Sequence, residues 1–193
     1  MKTLVLEQGN STLFAGVFRD DKLMRSARIT KNVSAEIDRL ARGKVDRIAV
    51  CSVVPKQTPL LASLIKKLFG SAPLVLTSKS DHGLQVAYEQ PAKLGDDRLA
   101  NSIGAQKLYP NKNVIVVDCG SATTLTLLHR DGALLGGSIL PGVAMWSEIL
   151  NQRTARLPAV SLSSPYKVVG RDTDPAIRSG IIHGHAGAIR ELI

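Results

Sequence analysis

The sequence specifies an α/β fold made of two related halves, each a mixed β-sheet flanked by helices. One observation behind this is a repeat. Shifted by 111 positions, Val5 falls on Val116, Glu7 on Asp118, Gly9 on Gly120 and Thr12 on Thr123, then Arg19 on Arg130, Asp20 on Asp131 and Leu23 on Leu134. A second is the layout of each copy: apolar strand, carboxylate-x-glycine turn, second strand, Arg-Asp turn, third strand, with turn formers at matching intervals. The third is the alternation of helical and strand-like segments after each meander, the mark of a layered α/β domain. The halves divide near "YPNK", giving residues 1–110 and 111–193.

In chain order, "LVLEQGNSTLFAGVF" supplies two strands around the first turn, and "FRDDK" turns the chain into a third. Ser34 is placed to cap a helix over "AEIDRLARG", with Glu36 and Asp38 early and Arg39 and Arg42 late, as the helix dipole favours. "VDRIAVCSVVP" is a strand. Thr58 is expected to cap a second helix, with Pro59 in its first position, an apolar stripe of Leu60, Leu61, Leu64, Ile65 and Leu68, and Gly70 as its stop. "APLVLT" is a short strand, and "GDDRLANSIGAQKLY" a helix capped by Gly95 or Asp96. After the second meander, "PGVAMWSEILNQRT" and "TDPAIRSGIIHGHAGAIREL" are helices.

With 44% hydrophobic residues in 193, the chain can bury a sizeable core. No apolar run is long enough to span a bilayer, and the first eleven residues lack the pattern of a secretory signal, so a cytoplasmic protein without membrane attachment is expected. The net charge of +9 is spread over single Lys and Arg residues, and aromatics are only 4%, poor material for a base-stacking surface; no nucleic-acid partner is expected. Cys51 and Cys119 sit in apolar runs and read as buried thiols. His183 and His185, two apart on a helix, point to different faces and are not expected to form a metal pair. Gly180, Gly184 and Gly187 share a helix face open to close packing, within the chain or against a second copy, and Trp146 suits the core or such an interface.

Two stretches concentrate chemistry. A glycine at a strand turn lets the backbone approach a ligand, and successive amides there form a concave donor site for phosphate oxygens. Small hydroxyl side chains add donors, and a carboxylate beside the glycine suits a metal ion or its water. Two such turns would grip a nucleotide's phosphates; each alone also fits an ordinary hairpin. In the other stretch, Asp97 and Asn101 share a helix face. Asp97 can accept a hydroxyl proton while Arg98 binds an anion; the plainer alternative is dipole-stabilising acids and a surface Arg.

Taken together these residues resemble the type III pantothenate kinases. The family's D-x-G-N-[ST] motif corresponds to Glu7, Gln8, Gly9, Asn10 and Ser11, and its D-x-G-T-A-x-T motif to Asp118 through Thr124. G-x-D-R-x-x-N is present as Gly95 to Asn101, preceded by Tyr88, and G-G-x-I-x-P-G as Gly136 to Gly142. "SVVP", "LNQRTARLP" and "GRDTDPAI" also fit.

The resemblance implies a duplicated actin-like (ribonuclease H-like) ATPase fold and ATP-dependent phosphorylation of pantothenate to 4′-phosphopantothenate, the first step toward coenzyme A. It implies Asp97 as the proton acceptor and Tyr88, Gly95, Asp96, Arg98 and Thr173 as pantothenate contacts. ATP would lie against Glu7, Gly9, Asn10, Ser11 and Ser121, with Asp118 at a monovalent-cation site, since the family uses K⁺ or NH₄⁺ together with Mg²⁺. A homodimer and further chain beyond Ile193 are implied too. Glu7 stands where the family has Asp, moving the carboxylate by about 1 Å against a metal that demands near-ideal geometry. A catalytically weak relative with a regulatory or partner-binding role is the alternative.

Overall fold

The computed structural model describes residues 1–162 and 167–193, which fall into two compact units, Met1–Leu108 and Tyr109–Ile193. In the first unit, β1 (Lys2–Gln8), β2 (Leu13–Arg19) and β3 (Lys22–Ile29) form an antiparallel meander. Helix α1 (Val33–Ala41) leads to β4 (Arg47–Ser52), and α2 (Thr58–Phe69) to β5 (Leu74–Val75). Both β4 and β5 run parallel to β1, because a helical crossover returns the chain to the same end of the sheet. The sheet order is β3-β2-β1-β4-β5. A short β6 (Gln85–Val86) and a single 3₁₀ turn at Pro91–Lys93 precede α3 (Asp96–Leu108).

Alternation along β1 decides what each face does. Leu4 and Leu6 are fully buried and join Leu13, Ala15, Val17, Ile29, Ile48 and Val50 from the sheet with Ile37, Leu61 and Ile65 from α1 and α2. Glu7 therefore lies on the opposite face, with Cys51 as its register partner on β4.

The helix starts differ from the sequence expectation. α1 begins one residue before Ser34, behind Asn32 in the left-handed conformation (φ 45), where a short amide side chain is tolerated. Gln57 occupies the cap position of α2; the Thr58 hydroxyl instead lies within hydrogen-bond distance of Ser52 Oγ (2.7 Å) and the Val54 carbonyl (3.0 Å). Leu61 and Ile65 are buried, whereas Leu60 is exposed. Gly70 ends the helix at φ 75, as a left-handed stop requires.

In the second unit, β7 (Val114–Cys119), β8 (Ala122–Leu128) and β9 (Ala133–Pro141) form an antiparallel meander, followed by α4 (Val143–Arg153) and α5 (Thr173–Glu191). Val160, Ile177 and Ile181 are buried here, with half-buried Trp146, Leu150 and Leu157 against them. Ser147 lies inside, its hydroxyl donating to the Val160 carbonyl (3.1 Å) and accepting from the Val160 amide (2.9 Å). Cys51 is buried, but Cys119 is exposed, because it ends β7 at the turn.

The two meanders match strand for strand, with a correction to the repeat. Gln8 pairs with Leu13 across the first turn and Cys119 with Thr123 across the second, so the structural counterpart of Thr123 is Leu13, not Thr12. The second turn is one residue shorter. Each middle strand then carries an irregularity at the equivalent place, Val17/Phe18 and Leu127/Leu128, and the 111-residue offset returns by Leu23 and Leu134 because the second Arg-Asp turn is longer.

Candidate active site

The residues singled out above fall into two groups, one in each unit. In the first, β1 delivers Glu7 and Gln8 to a turn closed by the Gly9 amide donating to the Thr12 carbonyl (2.9 Å). The Gln8 side chain braces it, Nε2 donating to the Gly9 carbonyl (2.7 Å). Asn10 and Ser11 are exposed at the tip, where a ligand can reach them.

Helix α3 supplies the second cluster. Gly95 caps it, its carbonyl accepting from the Leu99 amide (3.1 Å), and Asp97 lies in the first turn with Oδ1 accepting from the Arg98 amide (2.7 Å). That carboxylate folds back over the glycine: a β-carbon on Gly95 would collide with Asp97 Oδ1. Arg98 is 94% withdrawn from solvent, at 6% exposure, and its guanidinium stands over the Tyr88 ring at 5.6 Å from the centroid. The structure thus brings together Tyr88 and Arg98, two residues read as pantothenate contacts.

Cys51 links the turn to α3. Its thiol is pushed up to about 12, by burial first and then by the charges of Glu7, Asp96 and Asp97. The thiol stays protonated, and the acids whose charge acts on it come from the glycine turn and from the start of α3. Asp96 is itself raised, by desolvation first and by the Asp97 charge, against the lowering effect of a hydrogen bond from the Ser78 amide.

In the second unit, Asp118 lies at the end of β7 and Ser121 in the turn, which the Gly120 amide closes by donating to the Ala122 carbonyl (3.0 Å). Gly142 packs directly on this turn. Its amide donates to the Ser121 carbonyl (3.1 Å), and a β-carbon there would collide with the carbonyl oxygens of Gly120 and Ser121. The P-G pair of "GGSILPG" thereby acquires a physical reason. Thr173 opens α5, exposed, its amide donating to the Asp172 side chain (2.7 Å).

Among the described residues, no three His, Cys, Asp or Glu side chains come together to hold a metal ion unaided. A Mg²⁺ carried by nucleotide phosphates needs only one or two protein carboxylates, so a site built on single acids beside glycine turns is compatible with that ion; Asp118 is the acid that the resemblance gives to the monovalent cation. Cys51, Gly142 and His185 were not marked as site residues by the sequence. Only Gly142 carried a signal, its position in a Pro-Gly pair.

The type III pantothenate kinase family matches residues 3–193. A type III pantothenate kinase of Legionella pneumophila (strain Philadelphia 1) is 37% identical over 202 residues, 98% of this chain and 79% of that protein. One from Dehalococcoides mccartyi is 32% identical over 205 residues, 100% of this chain and 79% of its own. Among solved structures, the Aquifex aeolicus Ppx/GppA phosphatase aligns at TM-score 0.46 and 14% identity, covering 77% of this chain and 55% of its own. The ethanolamine utilization protein EutJ from Carboxydothermus hydrogenoformans aligns at 0.45 and 15%, covering 79% and 57%. No helix among the described residues is long and apolar enough to cross a membrane. With matching motifs along its whole length and this coverage by relatives above 30% identity, the chain belongs to the type III pantothenate kinase family.

Proposed function

We propose that this chain transfers the γ-phosphoryl group of ATP to the primary hydroxyl of pantothenate, with Asp97 as the group that accepts the hydroxyl proton. Family membership supplies the reaction, the first step of coenzyme A biosynthesis. The observation that carries the residue assignment is the setting of Asp97: its carboxylate, in the first turn of α3, is fixed by the Arg98 amide and seated over Gly95. In a loose phosphoryl-transfer transition state the base chiefly orients the attacking oxygen, so a carboxylate fixed in place is what the step requires.

Around it, Arg98 would meet pantothenate's carboxylate, with Tyr88 stacked on the guanidinium and Gly95 and Asp96 beside it in the same unit; Thr173, in the second unit, is a pantothenate contact on family resemblance alone. The Glu7, Gly9, Asn10 and Ser11 turn would receive phosphates, and in the second unit Ser121 is assigned to ATP on family resemblance. Glu7 and Asp118 are the carboxylates that would meet Mg²⁺ and the monovalent cation, K⁺ or NH₄⁺; those ions supply charge neutralisation as the phosphoryl group leaves. The reading includes a cytoplasmic homodimer. Its support is family resemblance and the face of α5 bearing Gly180, Gly184 and Gly187, where an added β-carbon would meet no described atom within 4 Å.

Asp97→Asn tests the central assignment. kcat should fall by roughly 10²- to 10⁴-fold, the usual contribution of a general base, while the melting temperature and pantothenate binding stay near those of the parent. Undiminished turnover would remove Asp97 from the chemistry.

A further inference from the structure

A buried polar atom without a partner is costly, so a half-satisfied imidazole inside a protein calls for a reason. His185, in α5, is 5% exposed; its Nε2 lies 3.0 Å from Thr123 Oγ1, and its Nδ1 is buried with no hydrogen-bond partner among the described residues. Thr123 is fully buried and occupies a particular place. It pairs with Cys119 across the β7–β8 hairpin, making the last ladder pair below the turn that presents Gly120 and Ser121. On its other edge it pairs with Leu140, just before the Gly142 amide that holds the Ser121 carbonyl.

We propose that His185 is a positioning residue for the second phosphate turn, anchoring Thr123 from the helix side while Gly142 holds Ser121 from the β9 side. The inference rests on the reading of residues 118–124 as a phosphate-binding turn. A side chain needed only to fill this space would be apolar, because imidazole leaves Nδ1 unmet; what imidazole adds is the Nε2 bond to the hydroxyl beneath the turn. The Thr123 hydroxyl can donate or accept, so either neutral tautomer makes the bond. With the bond in place, the amides and hydroxyl of the turn keep one orientation, and nucleotide phosphates meet donors already aimed.

The test compares two substitutions in the full chain. Glutamine reaches the Nε2 position with an amide, and asparagine does not. His185→Asn should raise the KM for ATP about five- to tenfold, the weight of one lost hydrogen bond, with the KM for pantothenate unchanged within about twofold. His185→Gln should return the ATP value to within about twofold of the parent. A side chain that only supports the fold would lower melting temperature in both variants without this selective rescue. If His185→Asn fails to fold, Thr123→Val against Thr123→Ser makes the same comparison from the other partner. Equal ATP values for the Asn and Gln variants, or an equal rise for pantothenate, would overturn the proposal. Ser121→Ala separates the two levels. If it leaves the ATP KM unchanged, the reading of the turn falls and this inference with it; if it raises that KM while His185→Asn does not, the anchoring role alone falls.

Discussion

Gly95 and Asp97 form a unit that single-residue reasoning divides. Asp97 is legible in sequence as an acid in the first turn of a helix, but the need for glycine two residues earlier appears only when the carboxylate is seen lying where a β-carbon would be. Gly95→Ala should therefore displace the carboxylate and lower kcat by about 10- to 100-fold, since misplacement on the order of 1 Å has that effect, with little change in melting temperature. Activity equal to the parent's would show that the seat is not needed. Asp96 is governed by a different balance. Desolvation and Asp97 raise its carboxyl above the usual range, so the folded state holds that proton more tightly than the unfolded chain, and the cost of ionising it grows as pH rises through the raised value. Asp96→Asn keeps an oxygen for the Ser78 amide and removes the charge. Its melting temperature should exceed the parent's slightly at pH 7, with the gap closing below about pH 4; a gap independent of pH would contradict this. Cys51 was read as a buried thiol, and it is one. That Glu7 stands opposite it on β1 depends on strand register, which residue types alone do not fix.

At the scale of elements, the strands and helices were readable because period-2 and helical patterns are strong in β1, β2, β4 and α2. Their ends were harder. Ser34 and Thr58 have the chemistry of caps, yet α1 starts behind a left-handed Asn32, and the Thr58 hydroxyl is taken by Ser52 and the Val54 carbonyl. The repeat shows the same limit. A constant offset aligned the glycines and carboxylates, but one residue lost from the second glycine turn and one gained in the second Arg-Asp turn cancel in sequence and are visible only in strand pairing. The shorter turn also explains Gly142, which must pass close to the Gly120 and Ser121 carbonyls. Gly142 is at φ −66, so alanine there meets a clash rather than backbone strain. Gly142→Ala should cost about 1–3 kcal/mol by overpacking and raise the KM for ATP; thermal unfolding with ATP kinetics checks both, and an unchanged pair of values would show that the turn yields freely.

For the whole molecule, the sequence made the α/β class and a duplicated meander evident, and family resemblance added what periodicity cannot, a reaction. Scattered charge and few aromatics in a chain of net +9 argued against a nucleic-acid partner, while the charge by itself chose no ligand. The anchoring side chain of α5 had no such signal, because His185 meets Thr123 from a distant part of the sequence. This chain, with Glu7 where the resemblance expects aspartate, moves a phosphoryl group onto pantothenate. The purified chain supplied with ATP, Mg²⁺, K⁺ and pantothenate should form 4′-phosphopantothenate and ADP in equal amounts, followed together by mass spectrometry and ³¹P NMR. ADP released without phosphorylated pantothenate, or neither product from a folded protein, would contradict it.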